Sequence, residues 1–262
     1  MKALAGIGTL LTRPPGQNES LAASVQDLGG HAYVYPLFDI RPLTAPGGKP
    51  LRVVRPNRFD GIVFVSPNAV RHGRAALGRG WPRGVRYYAV GEGTAQALAE
   101  VGARQVVAPA AGAGGEALAA HPAFADVAGR SFLLVRGRDG RRWLPDTLRA
   151  RGAEVEEIEV YERVEHPDPE GRLVNWLVEG TLDVIVVSSE SVLDALVRRV
   201  ENAPPEAREQ LLRLALLSAS RRVLENARRH GFQHDGLLAP ATSEEAHLAT
   251  LVEWWAGSED EP

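Results

Sequence analysis

The chain has 262 residues, 44% of them hydrophobic and 24% charged, which fits a globular protein of one large domain or two ordinary ones. A formal charge of −3 argues against non-specific nucleic-acid binding, which needs a basic surface to displace counterions from phosphates. There is no cysteine, so disulfides, thiolate nucleophiles and Cys-based metal sites are excluded.

The apolar stretch 3–11 is broken by glycines and stops at Arg13-Pro14. It is too short for a membrane helix and lacks a small-residue cleavage pattern, so it reads as a buried strand of a cytoplasmic protein. A helical pattern with Leu21, Val25 and Leu28 follows, then a second strand and a crossover over 35–43. Apolar runs then recur at 62–65, 85–90, 105–108, 132–135, 155–160, 184–187, 214–217 and 237–239. Leu144 and Leu148 mark one helix between them, and Val192, Leu193, Leu196, Val197 and Val200 another. Runs without polar alternation suit strands buried on both faces, and their alternation with helices predicts an α/β fold with parallel sheets.

The chain also repeats itself. Leu11-Thr12-Arg13 resembles Leu134-Val135-Arg136, and the segment from Phe59 to Ser66 resembles that from Leu182 to Ser189, both at an offset of 123 positions. Two similar halves follow. The stretches 42–50 and 166–171 are rich in Pro and Gly and read as linkers. If both connect domains, the middle of the chain is one domain and the two ends pair to make the other.

Cofactor signatures are weak or missing. Gly91-Glu92-Gly93 opens a helix after a strand but lacks the third glycine of a dinucleotide fingerprint. No P-loop, no Gly-x-Ser-x-Gly elbow and no metal-ligand spacing among the seven histidines is found. What remains is a series of strand-to-helix turns carrying small and hydroxyl residues. They include Thr12-Arg13-Pro14, Ser66-Pro67-Asn68, Gly93-Thr94, Arg136-Gly137, Ser188-Ser189, Ser218-Ala219-Ser220 and Thr242-Ser243. In a parallel sheet such turns share the carboxyl edge, and each helix start offers free N–H groups and a positive dipole end to an anion. The plainer reading is that Ser, Thr and Asn there are helix N-caps.

Taken in order, these turns resemble those of the uroporphyrinogen-III synthase family. The matching segments are Leu11-Thr12-Arg13-Pro14, Pro36-Leu37, Phe64-Val65-Ser66-Pro67-Asn68, Ala89-Val90-Gly91-Glu92-Gly93-Thr94, Arg136-Gly137 with Gly140-Arg141, Val160-Tyr161-Glu162-Arg163, Val187-Ser188-Ser189 and the stretch from Pro240 to Leu248. Two departures stand out: Arg142-Trp143 replaces an expected Glu-Leu, and Ser218-Ala219-Ser220-Arg221 replaces a commoner Gly-x-Thr-Thr turn.

The resemblance implies two flavodoxin-like α/β domains joined by a two-stranded connector, residues 1–37 plus 166–262 and residues 38–165, with the active site in the cleft between them. It implies a cyclising lyase acting on hydroxymethylbilane, a linear tetrapyrrole with eight carboxylates and one hydroxymethyl group. Loss of the hydroxyl gives an azafulvene, and the last ring closes through a spiro intermediate that inverts it. Such chemistry needs no cofactor, metal or side-chain nucleophile, only a selected substrate conformation. Tyr161, on the connector, is the expected catalytic residue. An unperturbed phenol titrates near ~10, so at neutral pH it can donate a hydrogen bond to the departing hydroxyl. Ser66, Thr94, Ser189 and Ser220 are expected to bind substrate carboxylates with neighbouring amides, and Arg13, Arg136 and Arg141 to pair with them. The expected state is a monomer with no nucleic-acid or membrane partner, and Trp254-Trp255 is expected to pack in the core. A two-domain ligand-binding sensor fits the repeat equally well, but such proteins line their clefts with aromatics and carboxylates, which these turns lack. A metal-dependent glycosyl or nucleotidyl transferase should show an Asp-x-Asp pair, and none is present.

Overall fold

The structure, a computed structural model, describes residues 2–258 apart from Arg79, Ala111, Ala113 and Asp139. Its strands are β1 (Gly8–Leu11), β2 (His31–Val34), β3 (Phe38–Pro42), β4 (Gly61–Phe64), β5 (Arg86–Ala89), β6 (Val106–Val107), β7 (Ser131–Gly137), β8 (Glu154–Glu165), β9 (Val184–Val186), β10 (Ala215–Ser218) and β11 (Leu237–Leu238). The helices are α1 (Glu19–Asp27), α2 (Pro67–Gly73), α3 (Glu92–Glu100), α4 (Gly115–Ala119), α5 (Trp143–Ala150), α6 (Arg172–Val178), α7 (Glu190–Arg199), α8 (Pro205–Arg213), α9 (Arg221–His230) and α10 (Glu244–Ser258). The leading apolar stretch is strand only from Gly8. Before it, Leu4 is buried in a turn whose amide is tied to the Leu28 carbonyl.

The chain divides into two compact units, Met1–Asp39 with Glu165–Pro262, and Ile40–Val164. The sheet of the first has the order β11-β10-β9-β1-β2, with every neighbouring pair parallel. The second has the order β3-β8-β7-β4-β5-β6, and its pairs from β8 to β6 are parallel. The central strands of both sheets are buried on both faces because alternate residues point to opposite sides and helices cover each side. In the first unit Leu10, Ile185 and Leu216 pack with α6 to α9, while Leu11, Val186 and Leu217 pack with α1 and α10. In the second, Phe64, Leu133 and Val135 pack with α2 and α3, and Val63, Tyr88 and Leu134 with α4 and α5. Trp254 and Trp255 pack against the α1–α10 layer.

The repeat is visible in the hydrogen bonding. Asp60 and Asp183 stand immediately before β4 and β9 in equivalent places. The Asp183 carboxylate accepts the Gly8 amide at 2.7 Å, and that of Asp60 accepts the Ser131 amide at 2.8 Å. Each acid thus pins the start of the neighbouring parallel strand. Strands β1, β2 and β9 match β7, β8 and β4 in position, and each unit draws strands from both sequence repeats: the first unit takes β1 and β2 from one and β9, β10 and β11 from the other, the second takes β3, β4, β5 and β6 from one and β7 and β8 from the other.

The linker 166–171 is ordered by one carboxylate. Asp168 accepts from the Tyr35 hydroxyl at 2.8 Å and from the Arg172 amide at 3.1 Å, which supplies an acceptor to the first turn of α6. Burial pushes the Asp168 carboxyl up. The bonds from Tyr35, Arg172 and Leu173 and the Arg172 charge outweigh burial, so the group lies below its ordinary value. Its stabilisation is therefore complete at neutral pH and disappears as pH falls through that lowered value. Asp168→Asn is expected to cost about 2 kcal/mol at pH 7 in urea unfolding, with the gap to wild type closing in acid. Tyr88 gives the opposite expectation. Its hydroxyl is fully buried without a partner, in a ring cluster with Phe124 at 4.7 Å. Tyr88→Phe removes that unpaired group and is expected to raise stability by about 1 kcal/mol, read as a higher Tm.

Candidate active site

Parallel pairing brings the carboxyl ends of the strands so paired to one edge of each sheet, and the candidate residues lie on those edges. In the second unit Ser66 follows β4, Thr94 lies in the first turn of α3 after β5, and Arg136 and Arg141 lie at and beyond the end of β7. Tyr161 comes from β8, beside β7.

Tyr161 owes its position to a register break. Arg136 pairs with Glu159, but the next residue, Gly137, pairs with Tyr161, which leaves Val160 as an extra residue. Without this bulge Tyr161 would point to the side opposite Val160. With it, both side chains join the cluster that packs against α2 and α3. Gly137 is the floor under the ring: a Cβ there would lie 2.5 Å from the Tyr161 ring carbon that carries the hydroxyl. Tyr161 is 4% exposed, and its hydroxyl lies 3.0 Å from Ser66 Oγ. Ser66 Oγ in turn accepts the Ala69 amide at 3.0 Å, capping α2.

Arg136 is 5% exposed. Its guanidinium donates to the Glu157 carboxylate, to the Gly140 carbonyl and, at 3.2 Å, to the Gly137 carbonyl. These bonds fold the turn after β7 back onto the strand. Burial pushes Glu157 up, but Arg149 and Arg136 outweigh it and keep the carboxyl below its ordinary value. Arg141 is exposed and lies 3.8 Å from Glu116. Thr94 is buried, and its amide donates to the Gly91 carbonyl.

In the first unit, the Thr12 hydroxyl donates to the Val186 carbonyl at 2.6 Å and ties the end of β1 to β9. Arg13 follows, donating to the Thr242 carbonyl at 3.3 Å and lying 3.7 Å from Glu244 at the start of α10. Burial lowers the Arg13 pKa, and Glu244 opposes that shift. Ser189 and Ser220 stand at the N-cap positions of α7 and α9, yet neither side chain caps its helix. Ser189 Oγ lies 3.1 Å from Ser191 Oγ. Among the hydroxyl residues proposed as anion binders, only Ser66 has a capping duty. Arg13 and Arg136, like Ser66 and Ser189, occupy equivalent positions of the repeat.

Sequence reasoning missed His72 and the role of Gly137. The imidazole of His72, on α2, lies 5.9 Å from the Tyr161 ring centre. Burial first, and Arg71 second, lower its pKa, which favours the neutral form. No spacing signal separates His72 from the other six histidines, because its neighbour is supplied by a strand 89 positions later. Gly137 was legible as a turn glycine, but not as the floor of a socket. Among the described residues no three His, Cys, Asp or Glu side chains are grouped to hold a metal ion, and no helix is long and apolar enough to cross a membrane.

A buried phenol, a partnering hydroxyl and a rim of helix starts can donate hydrogen bonds to oxygen leaving groups and carboxylates, and they offer no strong nucleophile. A family model described as uroporphyrinogen-III synthase HemD matches residues 19–250. The uroporphyrinogen-III synthase of Salmonella typhimurium is 34% identical over 235 residues, covering 86% of this chain and 92% of that protein. The Escherichia coli enzyme is 32% identical over 229 residues, with the same coverage. By structure, a mutant uroporphyrinogen III synthase from Thermus thermophilus matches with a TM-score of 0.63 at 19% identity, over 96% of this chain and 99% of that one. The Helicobacter pylori enzyme matches with a TM-score of 0.58 at 15% identity, over 95% and 99%. At those identities the structures speak for the fold, while the sequence matches decide the kinship: the chain belongs to the uroporphyrinogen-III synthase family.

Proposed function

We propose that this protein cyclises hydroxymethylbilane with inversion of the last pyrrole ring and loss of water, as a cytoplasmic monomer that uses no cofactor. The observation that supports it most directly is the phenol of Tyr161, held at a carboxyl edge by a strand bulge and hydrogen-bonded to Ser66. We also assign the chain two flavodoxin-like domains, residues 1–37 plus 166–262 and residues 38–165, joined by β3 and β8. The first sheet, numbered within its own unit, has the order 2-1-3-4-5 of that fold, and the second, with its edge strand β3 set aside, gives the same order once β7 is counted first.

In this reading the pyrrole nitrogen expels the hydroxyl while Tyr161 donates a hydrogen bond to the departing oxygen. The uncatalysed reaction closes the same substrate without inversion. The protein therefore supplies orientation, holding the ends of the chain so that the already-substituted carbon of the last ring attacks. Carboxylates are bound by Thr94, Ser189, Ser220 and the adjacent helix-start amides, with Arg13, Arg136 and Arg141 setting the positive character of the rims. Arg136 contributes chiefly by fixing the turn after β7, since three of its donor groups are engaged within the protein. Ser66 stands beside Tyr161 on the same edge.

Supplying the protein with hydroxymethylbilane made in situ, oxidising the product and resolving the porphyrin isomers by chromatography tests the activity. The inverted isomer is expected, and formation of the uninverted isomer alone ends the proposal. Tyr161→Phe should lower kcat by about 100-fold while the far-UV circular dichroism stays that of wild type. Thr94→Ala, Ser189→Ala and Ser220→Ala should each raise KM by about tenfold with little change in kcat, the loss of one hydrogen bond to a charged group.

A further inference from the structure

The socket around Tyr161 is more specific than packing requires. A phenylalanine would fill the same volume, and Val160 already occupies the neighbouring core position. Yet a bulge turns the ring to this face, a glycine makes room beneath it, and a hydroxyl meets its oxygen. Ser66 Oγ has one proton and two lone pairs. The Ala69 amide takes one lone pair at 3.0 Å. The serine proton is then available to the Tyr161 oxygen 3.0 Å away. In that arrangement the phenol proton is committed to no group among the described residues. The amide, the serine and the phenol form a short chain of hydrogen bonds in which each donor polarises the next.

We infer that Ser66 is a positioning residue that acts through Tyr161: it aims the phenol and meets the charge that develops on its oxygen, and it is not primarily a carboxylate binder. This rests on the assignment of Tyr161 as the donor to the departing hydroxyl. In that step the C–O bond breaks, its electrons leave with oxygen, and the pyrrole nitrogen's electron pair fills the vacated carbon. The phenol proton passes to the departing oxygen, which leaves as water. The Tyr161 phenolate accepts the Ser66 O–H bond until closure of the macrocycle releases a proton from the unsubstituted carbon of the last ring, which restores the phenol. One water is lost, and the enzyme is unchanged. Gly137 serves the same end by close approach. A Cβ there would lie 3.0 Å from the phenol oxygen and displace it from Ser66.

Carboxylate binding and phenol positioning move different constants, so kcat and KM separate them. The experiment measures both for wild type, Ser66→Ala, Ser66→Thr, Tyr161→Phe and the Ser66→Ala/Tyr161→Phe double variant. Ser66→Ala should lower kcat about tenfold and leave KM within about twofold. Ser66→Thr, which keeps the hydroxyl, should recover most of the loss. In the Tyr161→Phe background, Ser66→Ala should change kcat by less than about twofold, because the hydroxyl it acts through is gone. Should loss of the cap unfold the alanine variant, Ser66→Gly removes the hydroxyl at a small capping cost and gives the same comparisons. A rise in KM at unchanged kcat, or an equal fall in kcat in both backgrounds, overturns the inference. Wild-type kcat in Tyr161→Phe alone removes the underlying assignment instead, and that single variant distinguishes the two failures.

Discussion

Parallel pairing is the constraint on which the rest of this structure depends. Once β1, β2, β9, β10 and β11 run the same way, every turn that leaves them opens on one edge, and the same holds from β8 to β6 in the other unit. The following helix then begins at that edge with unsatisfied amides and the positive end of its dipole. A rim suited to anions is therefore a by-product of topology. The sequence only has to place small and hydroxyl residues there so that a ligand can approach the backbone.

The same pairing accounts for the two aspartates of the repeat. A strand buried on both faces has its amides paired along the ladder, but its first amide lies beyond the last partner carbonyl. Asp60 and Asp183 meet that need at Ser131 and Gly8, each from the neighbouring strand. The crossing segments 35–43 and 158–167 let each repeat give strands to both sheets, and Asp168 orders one of those crossings by tying Tyr35 to the first turn of α6.

Chemistry that depends on orientation leaves few marks in a sequence. No metal cluster, nucleophile elbow or phosphate loop is needed where the substrate carries its own reactivity and the protein selects its conformation. What such chemistry needs is a donor at a fixed point, and the phenol proposed for that role is held by three segments. β8 provides the phenol and the bulge, β7 the glycine floor, and the start of α2 the hydroxyl. Arg136 keeps the adjoining turn in place from the other face of the sheet, through Glu157 and the carbonyls of Gly137 and Gly140.

The apolar runs alone determined the class of fold, because a strand buried on both faces must be apolar at every position and a helix between such strands need only be so on one side. The repeat pointed to two similar sheets, and the ordered turns marked the carboxyl edge on which Ser66 and Tyr161 stand. Tertiary structure decided the rest. The side of the sheet that Tyr161 faces turns on one extra residue, Val160, and alternation along β8 by itself predicts the wrong side. Whether Arg136 faces solvent or the carbonyls of its own turn depends on Glu157 across the β7–β8 ladder. Ser66 and Ser189 share almost the same extended backbone, yet only Ser66 caps its helix; its hydroxyl meets Tyr161, whereas that of Ser189 meets Ser191. Apart from that between Ser189 and Ser191, these are contacts between residues far apart in the chain, and local composition carries no record of which distant group will arrive.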